Sequence, residues 1–320
     1  MTGLAGPAAR VSTDLEALLG HVADAFALGD VGPWSVLTTG YEDCNIDLAA
    51  AAARVVVKVF APDRGSGIAA RTAGLITAAQ ALGVRHPRLH RDTRGALVHA
   101  YRGHHVLVMD FVPGRTVYDL DRAPSRRELA GIVEQAARIH AIDANVEPVF
   151  DAWAITNLAP LAGQLRDVLD TEQRRLVGQA LEENAAVDRA ALPAALIHAD
   201  LTQGNVLLAD DGTVTVLDFA VANRFPRVQE LAVVAANLTH GSPDPLPKRA
   251  ETVAELYSAA AAVPVTAAER VALRAFTRAA AAMELLGALA EWHHHGNRGA
   301  ETEYLIGLGL AGLRDCAALS

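Results

Sequence analysis

The chain has only two cysteines in 320 residues, Cys44 and Cys316, at opposite ends. Two thiols so far apart make neither a metal motif nor a disulfide framework, which points to a reducing, cytoplasmic setting with both thiols buried or incidental. Aromatic residues are scarce, at 5 %. Positive charge is in deficit: 28 Lys and Arg against 37 Asp and Glu leave a formal net charge of −9. A chain of that sign repels phosphate backbones and offers no basic footprint, so nucleic acid is not an expected partner, whereas cationic small molecules are favoured. The sequence does not open on a charged region followed by an apolar core, so no secretion signal is expected. The helical stretch Val271 to Ala290 is interrupted by Arg274, Arg278 and Glu284. No segment reaches the roughly 20 apolar residues needed to span a bilayer, so no membrane association is expected.

What is present is enough for a substantial core. Hydrophobic residues make up 51 % and charged residues 20 %, a globular balance. Residues 1–14 read as a loose arm, and Leu15–Leu28 has helical periodicity. Then WSVLTTGYEDCNIDL and RVVVKVF read as strands around a Gly-containing turn, and Ile68–Gly83 as a helix ended by Gly. ALVHA and HHVLVMDFV are further short strands. After Pro113–Arg115 helices take over, beginning with SRRELAGIVEQAARIHAI, where Ser125 and Glu128 have capping-box spacing and Leu129, Ile132, Val133, Ala136 and Ile139 share a face. The expected fold class is α+β: an antiparallel-sheet lobe over 1–109, a connector at 110–115, and a larger helical lobe over 116–320.

One strand-like island stands in the helical half, LIHADLTQGNVLLADDGTVTVLDFA, Leu196 to Ala220. Asp211-Gly212 marks a hairpin turn between VLLA and VTVLDF. Asn205 precedes the first strand and Asp218 follows the second, and antiparallel pairing brings those ends together. Both offer hard oxygen donors of the kind Mg²⁺ takes alongside phosphates and waters. Asp200, five residues before Asn205, can orient a hydroxyl and accept its proton during phosphoryl transfer. Each of these residues taken alone is an ordinary turn or cap residue; the joint spacing carries the functional reading.

The order H-x-D-x-x-x-x-N, hairpin, D-F resembles the kinase catalytic signature. HADLTQGNVLL…TVLDFA is more specifically similar to the aminoglycoside phosphotransferase, choline kinase and homoserine kinase group, small-molecule kinases of protein-kinase-like fold. The resemblance covers roughly residues 35 to 295 and is supported by Val108–Gly114, similar to the group's connector between lobes. It implies ATP and Mg²⁺ as cofactors and a small-molecule hydroxyl acceptor, with a cationic one favoured by the acidic balance. It implies Asp200 as catalytic base, Asn205 and Asp218 as Mg²⁺ ligands, and Lys58 on the ATP phosphates. Thr38, Thr39, Gly40 and Tyr41 would cover the phosphates, backbone groups of Asp110 and Val112 would bond adenine, and His198 would brace the loop. The chain departs from a protein kinase: Ala220 stands where D-F-G has Gly, no A-P-E follows, and G-x-G-x-x-G is missing.

A second departure concerns the lysine. The group carries a Glu on the following helix, paired with it; the counterpart falls near Thr72, and Ile68–Gly83 contains no acidic residue. Lys58 then pairs with another carboxylate such as Asp63 or Glu42, or relies on phosphates and Asp218, or the chain is a weak or dead kinase. The rival function is therefore a nucleotide-binding pseudokinase with a regulatory role. Other features have bland readings. His293–His295 reads as a solvated helix end, since consecutive helical residues diverge. Glu284 and Glu291 read as a solvated face or, less simply, as the lining of a cationic-substrate pocket. Asp151 and Trp153 are further candidates for the substrate side.

Overall fold

The computed structural model describes residues 14–37 and 43–318, with the side chains at 63, 65 and 66 also left out of account. The proposed arm therefore lies outside the described residues, apart from Asp14. The chain divides into two compact units. Unit 1 comprises Met1–Ala81, Arg85–Gly114 and Leu217–Ala220; unit 2 comprises Leu82–Val84, Arg115–Val216 and Val221–Ser320. The tetrapeptide that carries Asp218 thus belongs to unit 1, although its neighbours in sequence belong to unit 2.

Unit 1 contains α1 (Leu15–Ala25), β1 (Val31–Leu37), β2 (Cys44–Ala50), β3 (Arg54–Val59), α2 (Gly65–Ala81), β4 (His99–Tyr101) and β5 (His104–Asp110). Asp14 caps α1 by accepting from the amides of Glu16 and Ala17, which satisfies two of its free donors. The strands form one antiparallel sheet in the order β1-β2-β3-β5-β4. Alternation decides its faces. Cys44, Ile46 and Leu48 of β2, Val55, Val57 and Val59 of β3, and Val106 and Val108 of β5 form a buried cluster with Leu15, Leu18, Leu19 and Val22 of α1. Lys58 alternates with Val57 and Val59 and so stands on the opposite face. Helix α2 gives way at Gly83, whose φ of 77° is the left-handed stop expected of a terminal glycine.

Unit 2 opens with β6 (Arg115–Thr116), α3 (Val117–Leu120), α4 (Arg126–His140), α5 (Leu158–Gln164) and α6 (Thr171–Ala185). The capping box of α4 forms between Ser125 and Glu128, and its five expected apolar positions are buried. β7 (Ala194–Ile197), β8 (Val206–Leu208), β9 (Val214–Val216) and β10 (Asn223–Pro226) follow. The hairpin β8–β9 pairs Val206 with Val216 and turns at Gly212, with φ 81°. Two pairings escape sequence reading: β6 with β8, and β10 with β7. Both added strands are short, and β10 ends in Pro226, which only an edge tolerates.

The remainder is helical: α7 (Val228–Val233), a π-helical turn at Val234–Leu238, α8 (Leu246–Ala260), α9 (Ala267–His294) and α10 (Ala300–Ala318). Helix α9 is buried on nearly every side, and α10 packs directly against its backbone. A Cβ added at Gly309 would lie 2.4 Å from the Leu285 amide nitrogen. No helix among the described residues is long and apolar enough to cross a membrane.

Candidate active site

The chain contains only two lysines. Lys248 is exposed, whereas the Lys58 side chain is 3 % accessible. Burying an ammonium is costly unless charge partners meet it. Lys58 has two: its Nζ lies 2.8 Å from Asp43 Oδ2 and 2.7 Å from Asp218 Oδ2. Burial alone would push the Lys58 pKa down, but the Asp218 and Asp43 carboxylates outweigh it and hold the ammonium firmly charged. The partner left open by the sequence is thus Asp43, with Asp218. Glu42 and the Asp63 side chain lie outside the described residues. Register makes Asp43 legible in retrospect: Lys58 pairs with Asn45, so Asp43 is its diagonal neighbour on the same face of the β2–β3 ladder.

Asp218 adopts a left-handed conformation, φ 59°, and its Oδ1 accepts from the Ala220 amide at 3.0 Å. A non-glycine residue held there is strained, and such strain is typical of functional turns. Phe219 anchors the turn, fully buried beside the His86 ring.

In unit 2 the stretch around Asp200 is held by its own side chains. His198 is completely buried, and its Nδ1 accepts from the Asp200 amide at 3.3 Å. Asn205 Nδ2 donates to Asp200 Oδ2 at 2.6 Å and to the Asp200 carbonyl at 3.0 Å, while Thr202 Oγ1 donates to Asp200 Oδ1. Asp200 is thereby fixed in orientation. Ala199 is also left-handed, φ 69°, and its amide donates to the buried carboxylate of Glu230 at 2.9 Å. Glu230 Oε2 in turn lies 2.8 Å from His140 Nε2, and His140 Nδ1 lies 2.8 Å from the Tyr257 hydroxyl. Burial pushes the Glu230 carboxyl up, but the His140 bond and charge win and hold it below the usual range. No motif marked this buried brace, because Glu230 and His140 are far apart in sequence.

A second network runs from the same loop. The Gln203 amide and Nε2 donate to Asn237 Oδ1 and its carbonyl, and Asn237 Nδ2 donates to Glu284 Oε1 at 2.9 Å. Asn237 sits on the π-helical turn, a helix distortion often found at functional sites. The Tyr304 hydroxyl donates to Gln203 Oε1, and the Tyr304 ring meets Tyr118 and His240 edge-on. Glu284 and Glu291 are therefore not on a solvated face: they are 8 % and 9 % accessible. Burial raises the Glu284 pKa to about 7. Between them in sequence lies Gly287, against which Trp153 packs so closely that a Cβ would clash with its ring at 2.4 Å. His293–His295 are exposed at the end of α9.

The expected adenine-binding residues lie at the end of β5 and beyond it. The Asp110 amide donates to the Arg88 carbonyl at 3.0 Å, so that amide is not available to a ligand, and its carboxylate pairs with Arg88 and His90. Val112 follows in the segment without regular structure between β5 and β6. Thr39, Gly40 and Tyr41 lie outside the described residues. Among the described residues no group of three His, Cys, Asp or Glu could hold a metal ion. Mg²⁺ commonly needs no such cage, since phosphate oxygens and waters complete its shell around one or two protein oxygens. The Asn205 carboxamide and the Asp218 carboxylate each carry an oxygen of the type Mg²⁺ takes.

Comparison with known proteins identifies the fold and the family. A homoserine kinase of Azorhizobium caulinodans is 25 % identical over 287 residues, covering 88 % of both chains. One of Methylobacillus glycogenes is 27 % identical over 202 residues, 62 % of this chain and 61 % of that protein. Among solved structures, a spectinomycin phosphotransferase in complex with ADP and spectinomycin superposes with a TM-score of 0.69 at 8 % identity, over 95 % of this chain and 97 % of the other. An amicoumacin kinase in complex with AMP-PNP and Ca²⁺ gives 0.69 at 14 % identity, over 98 % of each. These structures share the fold, a sheet-bearing N-terminal part and a helical C-terminal part. The sequence pattern of the phosphotransferase enzyme family, APH, matches residues 34–271, well over half of the chain. The protein thus belongs to the APH phosphotransferase enzyme family and is a phosphotransferase that acts on an alcohol hydroxyl.

Proposed function

We propose that the protein transfers the γ-phosphoryl group of ATP, with Mg²⁺, to a hydroxyl of a small aminated molecule in the cytoplasm. The observation that carries this reading is the fixed Asp200 carboxylate, oriented by Asn205 at 2.6 Å on the stretch with the kinase signature. Asp200 would align the acceptor hydroxyl and take its proton as the new P–O bond forms and the γ-phosphoryl leaves ADP. Lys58 would neutralise phosphate charge, and the 38–41 turn would cover it. Val112, with Asp110 as acceptor only, would bind adenine through the backbone. Asn205 and Asp218 would each give an oxygen to Mg²⁺, which when bound supplies charge neutralisation across the phosphates. The protein's task is then positioning and electrostatics rather than covalent catalysis.

An amine on the acceptor is supported by the net charge and by the surroundings of Tyr118 and Tyr304. Burial first, and then the charges of Glu301, Asp119 and Asp121, raise the Tyr118 pKa. Aromatic faces beside carboxylates favour an ammonium group. Two acceptor classes meet this chemistry: hydroxy amino acids, as the homoserine kinase relatives suggest, and aminated antibiotics, as the solved structures suggest. The pseudokinase reading drew on the missing helix carboxylate, and the Asp43 pairing removes that argument. The test is ADP release from MgATP across hydroxy amino acids, amino alcohols, aminoglycosides and peptide antibiotics. Turnover confined to one class identifies the acceptor; nucleotide binding without turnover of any member would contradict the enzymatic reading.

A further inference from the structure

We infer that Asp43, rather than any residue of helix α2, is the carboxylate that holds Lys58 in position for phosphoryl transfer. The inference rests on the phosphotransferase reading above and names a positioning residue within it. Four observations converge. Helix α2 has no acidic side chain, and Thr72, where one is expected, is fully buried with its hydroxyl unpartnered. Asp43 is 2 % accessible and 2.8 Å from Lys58 Nζ. Its carboxylate is itself fixed: Oδ1 accepts from the Ala61 amide at 3.2 Å and Oδ2 from Arg64 Nη1 at 3.2 Å. The β2–β3 register places it diagonally beside Lys58 on one face of the sheet.

The other partner, Asp218, cannot serve as a dedicated anchor. Its side chain is 32 % accessible, and it is the residue proposed to face the metal. When its oxygens are drawn to a cation, Asp43 remains as the buried partner of the ammonium. The lysine is then anchored within a β-hairpin of the same sheet, so its placement does not depend on how α2 lies. Arg64, at the end of the single 3₁₀ turn Pro62–Arg64 before α2, ties the start of that helix to the same carboxylate.

The test compares Asp43→Asn, Arg64→Gln and Lys58→Met with the wild type. It measures ADP release from MgATP with an acceptor turned over in the panel, and adenosine affinity by calorimetry. Asp43→Asn should lower kcat by about tenfold or more, as expected when a charged contact is lost in the transition state. Its adenosine affinity should stay within about twofold of wild type, and Arg64→Gln, which leaves the Asp43–Lys58 pair in place, should lower kcat less than Asp43→Asn does. Lys58→Met should lose at least as much activity as Asp43→Asn. A fully active Asp43→Asn beside a crippled Lys58→Met overturns the inference and leaves the phosphotransferase reading standing. Equal losses in Asp43→Asn and Arg64→Gln, or a parallel loss of adenosine binding, would assign Asp43 a bracing role and also overturn it. An active Lys58→Met removes the assignment of Lys58 on which the inference rests.

Discussion

The amide of Ala199 donates to Glu230 Oε1 at 2.9 Å, across 31 residues of sequence, and fixes a strained residue next to Asp200. Glu230 is fully buried and also bonds His140. Truncation to Ala leaves two buried polar groups without their acceptor. Glu230→Ala should therefore destabilise the fold by about 3 kcal/mol and reduce turnover as well. Urea denaturation monitored by circular dichroism checks the first effect; a change under about 1 kcal/mol would show the brace to be dispensable.

Glu284 gives the protein a specific pH dependence. Its pKa, raised by burial from 4.5 to about 7, means that the folded state holds a proton the unfolded chain releases. The stabilising contribution of the neutral acid is complete below about pH 4.5 and is lost as pH rises through 7. The loss at alkaline pH is about 3 kcal/mol. Glu284→Gln keeps an acceptor for Asn237 and cannot ionise, so it should match the wild type at pH 4.5 and exceed it at pH 8. Unfolding free energies at the two pH values decide; an equal offset at both would contradict the assignment.

Helix α10 offers a contrast between two glycines. A Cβ at Gly309 meets the backbone of Leu285 and Ala281 at 2.4 and 2.7 Å, whereas Gly307 has nothing within 4 Å. Gly309→Ala must push two helices apart and should cost about 2–3 kcal/mol, while Gly307→Ala should stabilise by up to about 1 kcal/mol through helix propensity. Thermal unfolding of the pair should shift Tm in opposite directions.

Lys58 and Asp43 should also couple in stability. Replacing either alone leaves the other's buried charge with a single ionic partner, Asp218 for Lys58 and Arg64 for Asp43, so Lys58→Met and Asp43→Asn should each destabilise, and the double variant should cost less than their sum. A coupling of about 1–3 kcal/mol is expected from a double-mutant cycle in urea. Simple additivity would mean that the pair carries no interaction energy.

The strands of the five-stranded sheet, the α4 cap and the β8–β9 hairpin were legible because alternation, cap spacing and Asp-Gly turns are local signals. Cys44 and Cys316 are both buried, as their small apolar character suggested. The candidate catalytic stretch stood out in the sequence because its donors are spaced within a few residues of one another. What escaped reading is non-local. Asp43 was passed over for its neighbour Glu42, because only the strand register shows which carboxylate reaches Lys58. Glu284 and Glu291 read as solvated because charge at helical spacing ordinarily faces water, whereas tertiary packing around α9 buries both. β10 gave no strand signal, since four residues ending in proline gain their pairing only from β7.

The central claim is that this chain moves a phosphoryl group from ATP to an alcohol with Asp200 as base. The most direct measurement is mass spectrometry of the acceptor after incubation with MgATP, for the wild type and for Asp200→Ala. The account predicts an acceptor heavier by one phosphoryl group with the wild type, and formation slowed by about a hundredfold or more with the variant. A phosphorylated product formed equally fast by Asp200→Ala would contradict it.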